Sequence, residues 1–164
     1  MTDSEKFRDA MWRLGAAVNI ITTDGAAGRH GITASAVCRL SDDPAAVLLS
    51  VNRSGQMHGV LRANRKLCIN VLGGEHEELS NNFASRRLEA SERFGMAAWE
   101  EMENGTPALV GALCSLGCRV DTISETGTHS VFVCHVEEIR FGPAQSGLMH
   151  FGRRYHRLAI PEAA

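Results

Sequence analysis

The feature that most constrains this chain is how its β-branched, apolar runs are joined. "AAVNIITTD" (16–24), "ITASAVCRLS" (32–41), "AAVLLSVN" (45–52), "KLCINVLGG" (66–74) and "SVFVCHVEEIRFG" (130–142) all read as strands. The first three follow one another through short turns. "DGAAGRHG" (24–31) makes a Gly-rich hairpin turn, and "SDDP" (41–44) punctuates the next reversal. A parallel sheet needs a crossover of a dozen or more residues between strands, usually a helix. The pattern therefore predicts a mainly β protein, an antiparallel β-barrel with peripheral helices rather than a doubly wound sheet.

Six or seven strands and two or three helices are expected, in one domain spanning 1–164. "AAVLLSVN" is nearly all apolar, which predicts a strand buried on both faces. Segment 105–127 restarts strand character after Pro107, and "GLMHFGRRYHRL" (147–158) is expected to close the sheet. Ser4 to Leu14 reads as a helix capped by Asp3 or Ser4, with Phe7, Ala10, Met11 and Leu14 on one face. Ser54 is a candidate cap for a second helix that turns Met57, Val60 and Leu61 inward. Residues 76–94 are helix-compatible with a break near Ser85.

Composition removes several function classes. The net charge is −2 and aromatic residues are only 5%, so neither a basic footprint nor a stacking platform for nucleic acid is present. No run of Lys and Arg suggests a membrane patch, and the charged N-terminus suits neither a leader nor a span. The odd count of five cysteines fits reduced thiols and a cytoplasmic location. Cys114 and Cys118 lack a matching second pair, and the seven histidines form no spaced cluster, so no metal site is expected. Gly25, Gly28 and Gly31 recur every three residues but lie between two strands. A dinucleotide fingerprint must open a helix, so this is not one. No nucleophile elbow, P-loop or paired carboxylate motif supports a hydrolase.

What remains is a set of small polar stretches at strand ends: Thr33 to Ala36, Asn52 to Ser54, "LSNNF" (79–83) and "GTH" (127–129). Backbone N–H groups and short hydroxyls with little bulk suit a planar polar ring lying on a sheet edge. The "NRS" turn offers Arg53 charge, a Ser54 hydroxyl and a helix start to a phosphate. Ordinary structure accounts for the same residues. Thr33 and Ser35 can pair across an edge strand, His129 can cap a turn, and Arg53 can be solvated. Phe83 and Phe94 suit a core, Tyr155 suits packing with its hydroxyl at a rim, and His135 reads as a core or interface histidine.

Taken in order, "FRDAMWRLGAAVNIITTDG", "GITASAVCRLSDDPAAVLLSVNRSG", "KLCINVL", "LSNNFAS", Arg93-Phe94, "TPAL", "ISETGTHSVFVCHVEEI" and "YHRL" resemble the short-chain NAD(P)H:flavin reductases. These are the reductase components of two-component flavin monooxygenases, and the opening segments are most similar to those serving hydroxyphenylacetate and pyrimidine oxygenases. The resemblance runs from Phe7 to Leu158. It implies an FMN-binding split β-barrel, a homodimer, and a monooxygenase partner that receives reduced FMN or FAD after hydride transfer from NADH or NADPH. It places Thr33, Ala34, Ser35 and Ala36 along the flavin ring, and Asn52, Arg53 and Ser54 near the ribityl phosphate. Ser80, Phe83, Ser85 and Arg86 would flank the phosphate side and any adenylate tail. Gly127, His129 and Tyr155 would lie on the NAD(P)H side, with Thr128 where the family often has aspartate. No residue is implied as an acid or base. Alternatives of the same fold are a flavin-dependent reductase of another acceptor, such as a corrinoid, and a non-catalytic flavin- or haem-binding barrel.

Overall fold

A computed structural model describes residues 3–161, so the first two and last three residues of the expected 1–164 domain lie outside the described residues. Its centre is a seven-stranded antiparallel sheet. The strands are β2 (Asn19–Thr23), β3 (His30–Ala34), β4 (Val37–Asp42), β5 (Ala45–Asn52), β6 (Lys66–Val71), β9 (Cys114–Thr126) and β10 (His129–Phe141). They lie in the order β3-β2-β6-β9-β10-β5-β4. The two outermost strands, β3 and β4, are consecutive in the chain and separated only by Ser35 and Ala36. Two residues cannot span a flat seven-stranded sheet whose neighbours lie about 4.8 Å apart. The sheet must curl until its edges nearly meet, so the expected single strand 32–41 is two strands around a corner. The Ala36 carbonyl accepts from Ser50 N at 3.0 Å, which ties that corner to β5.

The barrel interior holds Ile21, Leu49, Met57, Leu61, Leu67, Ile69 and Phe132, all buried. A second cluster lies outside the sheet, with Ile20, Leu72, Phe83, Phe94 and Leu148. Successive strand residues point to opposite faces, so Ile20 and Ile21 serve different cores. Every residue of β2 is buried. The double-faced burial expected of 45–52 thus belongs to β2, because the outer face of β5 leaves Leu48 and Ser50 half-exposed.

The outer cluster is covered by helices α3 (Glu77–Ala84) and α4 (Ala90–Phe94) and by a ribbon of β7 (Trp99–Glu101) and β8 (Pro107–Leu109). The helical segment 76–94 does break at Ser85, whose extended backbone ends α3. Helix α2 (Gln56–Asn64) packs Met57, His58 and Leu61 inward. Its N-cap is Gly55 rather than the expected Ser54. Asn52 Oδ1 already accepts from both the Ser54 amide, at 2.9 Å, and its hydroxyl, at 2.8 Å.

Segment 147–158 does not close the barrel. It forms a hairpin of β11 (Ser146–Phe151) and β12 (Arg154–Ala159), which pairs with β1 (Ala16–Ala17) in a separate sheet. Three backbone hydrogen bonds join the sheets in a ring: Val18 donates to Leu148, Leu148 to Leu72 and Leu72 to Val18, at 2.9 to 3.0 Å. Helix α1 (Ser4–Met11) is capped by Asp3, whose carboxylate accepts from Glu5 N at 2.9 Å. It buries no residue in the single chain, and Phe7, Met11 and Leu14 stay exposed.

One buried side chain pins sheet to ribbon. Asn70, wholly buried on β6, donates to Ile20 O at 3.1 Å and accepts from Leu109 N at 2.7 Å and Ser115 Oγ at 2.9 Å. Asn70→Ala would strand these partners without water. The expected loss is about 2–4 kcal/mol, from an unsatisfied-group cost of roughly 1–3 kcal/mol each. Urea unfolding should show a lower midpoint at unchanged slope; an unchanged midpoint would show that Asn70 pins nothing.

Candidate functional site

A groove of about 490 Å³ opens beside β3, between the start of α2 and the α3–α4 segment. That volume lies within the roughly 300–1,000 Å³ typical of ligand sites. One wall comes from Thr33 and Asn52, the N-terminal turn of α2 from Ser54 to Met57, and the opposite wall from Phe83 to Arg86. The first turn of a helix has amide N–H groups without intrahelical acceptors, so this end of α2 favours a negative group.

Of the residues singled out by the sequence, Thr33, Asn52, Ser54, Phe83, Ser85 and Arg86 line this groove together. Phe83 forms its floor and is only 1% exposed. The close approach of β3 to that ring requires Gly31, where a Cβ would fall 2.6 Å from Phe83 Cε1. Ala34 packs half-buried against the barrel core, while Ser35 and Ala36 are exposed at the adjoining corner.

Other expected residues lie just behind or beside the groove. Thr33 Oγ1 donates to the Ser80 carbonyl at 2.5 Å, and Ser80 Oγ shares a 2.9 Å hydrogen bond with the Tyr155 hydroxyl. Ser80 is completely buried, so it and Tyr155 form a latch between β3, α3 and β12 rather than part of the lining. Arg53 turns to Glu125, at 2.8 Å, and to the Gly127 carbonyl, at 3.3 Å, and does not line the groove. The adjacent negative carboxylate and its turn carbonyl outcompete the groove for this arginine. The β5–β10 register sets His129 opposite Asn52, at the groove's rim. Thr128 Oγ1 lies 2.8 Å from His129 Nδ1, which fixes the exposed ring and leaves Nε2 outward. Gly127 takes a φ of +56°, which the turn between β9 and β10 requires.

Among the residues that the structure adds to the groove are His30, Gln56 and Arg93. Sequence reading left His30 in a turn and Arg93 only within a resemblance. Local pattern carries no sign that a tertiary fold brings them together. Burial, opposed in part by a hydrogen bond to Gln56 and aided by the Arg93 charge, holds the His30 pKa below 6.5. No cysteine lines the groove, and burial pushes Cys68 and Cys134 up to about 12. No cluster of metal-ligating side chains occurs among the described residues, and no described helix is long and apolar enough to cross a membrane.

A curled antiparallel sheet with an open groove of short polar groups, a helix start and arginines defines a class of β proteins that carry a ligand-sized groove beside the sheet. Within that class the chain belongs to the family described as flavin reductase like domain, whose profile matches residues 11–159. It is 45% identical to the 4-hydroxyphenylacetate 3-monooxygenase reductase component of Pseudomonas aeruginosa over 98% of this chain and 95% of that one. It is 46% identical to the FMN reductase (NADH) RutF of Serratia proteamaculans, over 95% and 89% of the two chains. Among solved structures, the NADH:FAD oxidoreductase SgcE6 of Streptomyces globisporus, in complex with NAD and FAD fragments, superposes with a TM-score of 0.88 at 28% identity, covering 99% and 96%.

His30 also makes folding pH-dependent. The unfolded chain binds its proton near pH 6.5, and the folded chain binds it only at lower pH. Stability is therefore full above 6.5 and falls as pH drops below it. His30→Gln should flatten this limb of a stability–pH profile measured by urea unfolding; an unaltered limb would assign it to other groups.

Proposed function

We propose that this protein is an NADH:flavin oxidoreductase that reduces FMN, accepts FAD as well, and hands the reduced flavin to a monooxygenase. The observation that carries this is the groove beside β3, which brings Thr33, Asn52, Ser54, Ser85 and Arg86 together at the start of α2. The relatives known as FMN reductase (NADH) and NADH:FAD oxidoreductase support the choice of NADH and flavin.

When bound, a flavin supplies the hydride acceptor, and NADH supplies the hydride. The chain's residues bind and orient. Thr33 to Ala36 hold a slim, rigid edge against which a flat ring can lie with one face free. That edge stays rigid because the Thr33 hydroxyl is already held by Ser80, backed by Tyr155. The α2 start and Arg86 stabilise a phosphate at the groove's other end. His129 sits across the rim, its Nδ1 engaged, with Nε2 available to the nicotinamide carboxamide or ribose. Bound there together, the two rings would carry the hydride transfer themselves, and no side chain of this protein would have to move a proton for it. Five unpaired cysteines support a reducing, cytoplasmic setting.

The reading includes a homodimer. Phe7, Met11 and Leu14 of the α1 segment and Phe151, Leu158 and Ile160 of the β11–β12 hairpin are all exposed. Helix and hairpin are joined where Gly152 N donates to Trp12 O at 2.8 Å, so a second copy would cover both at once.

Purified protein should oxidise NADH only when FMN or FAD is supplied. His129→Ala should raise KM for NADH several-fold while flavin affinity, read by fluorescence titration, stays within about twofold. NADH oxidation that ignores flavin sinks the reading, and equal loss of both affinities removes His129 from the nicotinamide side. For the dimer, Phe7→Glu should shift sedimentation from two chains to one; a wild-type monomer would refute it.

A further inference from the structure

The loop between β9 and β10 is gripped from outside its own hairpin. β9 ends at Thr126 and β10 starts at His129, so only Gly127 and Thr128 turn the chain. The carbonyls of two such central residues have no partner in the ladder. Arg53, the residue after β5, takes both. Its amide donates to Thr128 O at 2.9 Å, and its Nη1 donates to Gly127 O at 3.3 Å. Its Nη2 meets one Glu125 oxygen at 2.8 Å, while the other Glu125 oxygen accepts from Arg62 Nη1 of α2 at 3.1 Å. One guanidinium thus spans the loop and the strand leading into it, and one carboxylate ties both to α2. The rigid fork of arginine suits two acceptors at once; a lysine ammonium is a point charge and does not.

Arg53, Glu125 and Arg62 are all exposed. Exposed ion pairs add little to stability, so the cluster is a poor staple for the fold. Its place says more. Asn52 and Ser54, on either side of Arg53, line the groove, and His129 follows directly on the loop that Arg53 grips. Pairing with Asn52 sets the His129 backbone, and the loop sets Thr128, whose hydroxyl meets His129 Nδ1 at 2.8 Å. The grip on the loop therefore reaches the imidazole through Thr128.

We propose that Arg53 and Glu125 are positioning residues for the use of pyridine nucleotide: they lock the Gly127–Thr128 loop so that Thr128 holds the His129 ring at the groove's rim with Nε2 outward. This rests on the NADH:flavin reading for what His129 meets, and adds to it two residues that act through another. It also gives Arg53 a task other than the phosphate contact that its charge suggested. Glu125 keeps the guanidinium on the loop and away from anions in the groove.

Arg53→Met keeps an unbranched stem and removes the fork, and Glu125→Ala removes the counter-charge. Each should raise KM for NADH about three- to tenfold with kcat within about twofold, the size expected for one or two lost hydrogen bonds. The double variant should be no worse than the poorer single one, because both break one strut. Arg53→Lys should not restore KM. FMN and riboflavin affinities, read by fluorescence, should stay within about twofold throughout. An arginine serving the flavin phosphate behaves in the opposite way. FMN would weaken, riboflavin would not, and Arg53→Lys would recover most of the loss; that outcome overturns the proposal. Hydrogen exchange of the Arg53 amide reads the strut with no substrate present, and should quicken about tenfold in Glu125→Ala. Unchanged exchange, an unchanged KM for NADH, or additive losses in the double variant would each overturn it as well. Wild-type protein that does not oxidise NADH with flavin would instead sink the functional reading, and the exchange measurement would still report whether Glu125 and Arg53 hold the loop.

Discussion

The two-residue corner at Ser35 and Ala36 governs the architecture. It joins the first and last strands of the seven-stranded sheet, so the sheet has no freedom to remain open. Closure brings the two edges near one another without pairing them, since no ladder joins β3 to β4. A corner must be made of small residues, because the chain turns sharply while neighbouring backbones close in. The groove opens next to it: Thr33, two residues before the corner, lines it, while Ser35 and Ala36 do not.

Much of this was legible in the sequence, and the rest was hidden for physical reasons. Antiparallel pairing followed from short connections between β-branched runs. The break at Ser85 and the small polar stretches around Thr33 and Asn52 were also visible. Segment 32–41 read as one strand because its composition is continuous across the corner, and only the tertiary closure divides it. Segment 147–158 read as a barrel strand because it has strand composition. Its partner, Ala16–Ala17, is too short to give a signal, so the separate sheet was invisible. Periodicity correctly placed an apolar stripe on the first helix, but a stripe does not say what covers it. Within this chain nothing buries Phe7 or Leu14.

The site shows the same division. Residue type and spacing drew attention to Asn52 and Ser54, and the groove contains both. Arg53, between them, is drawn away by Glu125, a partner 72 positions along the chain at the end of another strand. Its neighbour Glu125 also binds Arg62, so one carboxylate organises two arginines around the β9–β10 turn. Arg93 reaches the groove from α4, outside the polar stretches that the sequence offered. Short-range pattern can nominate a hydroxyl beside a turn. Long-range closure decides which cation arrives beside it.

The balance of buried polar groups explains why the groove can stay open without loosening the barrel. The Asn70 hydrogen bonds and the Val18–Leu72–Leu148 backbone ring lie on the side of β2 and β6 where the outer cluster packs. They consume their own donors and acceptors almost completely, and such satisfied networks are rigid. Behind the groove, by contrast, Arg93 Nε and His30 Nδ1 are buried without a partner. Each such group is a cost that the fold carries where β3 packs on α4. The satisfied pins between the sheets offset that cost, and a chain that left the pins unsatisfied as well would not hold the corner.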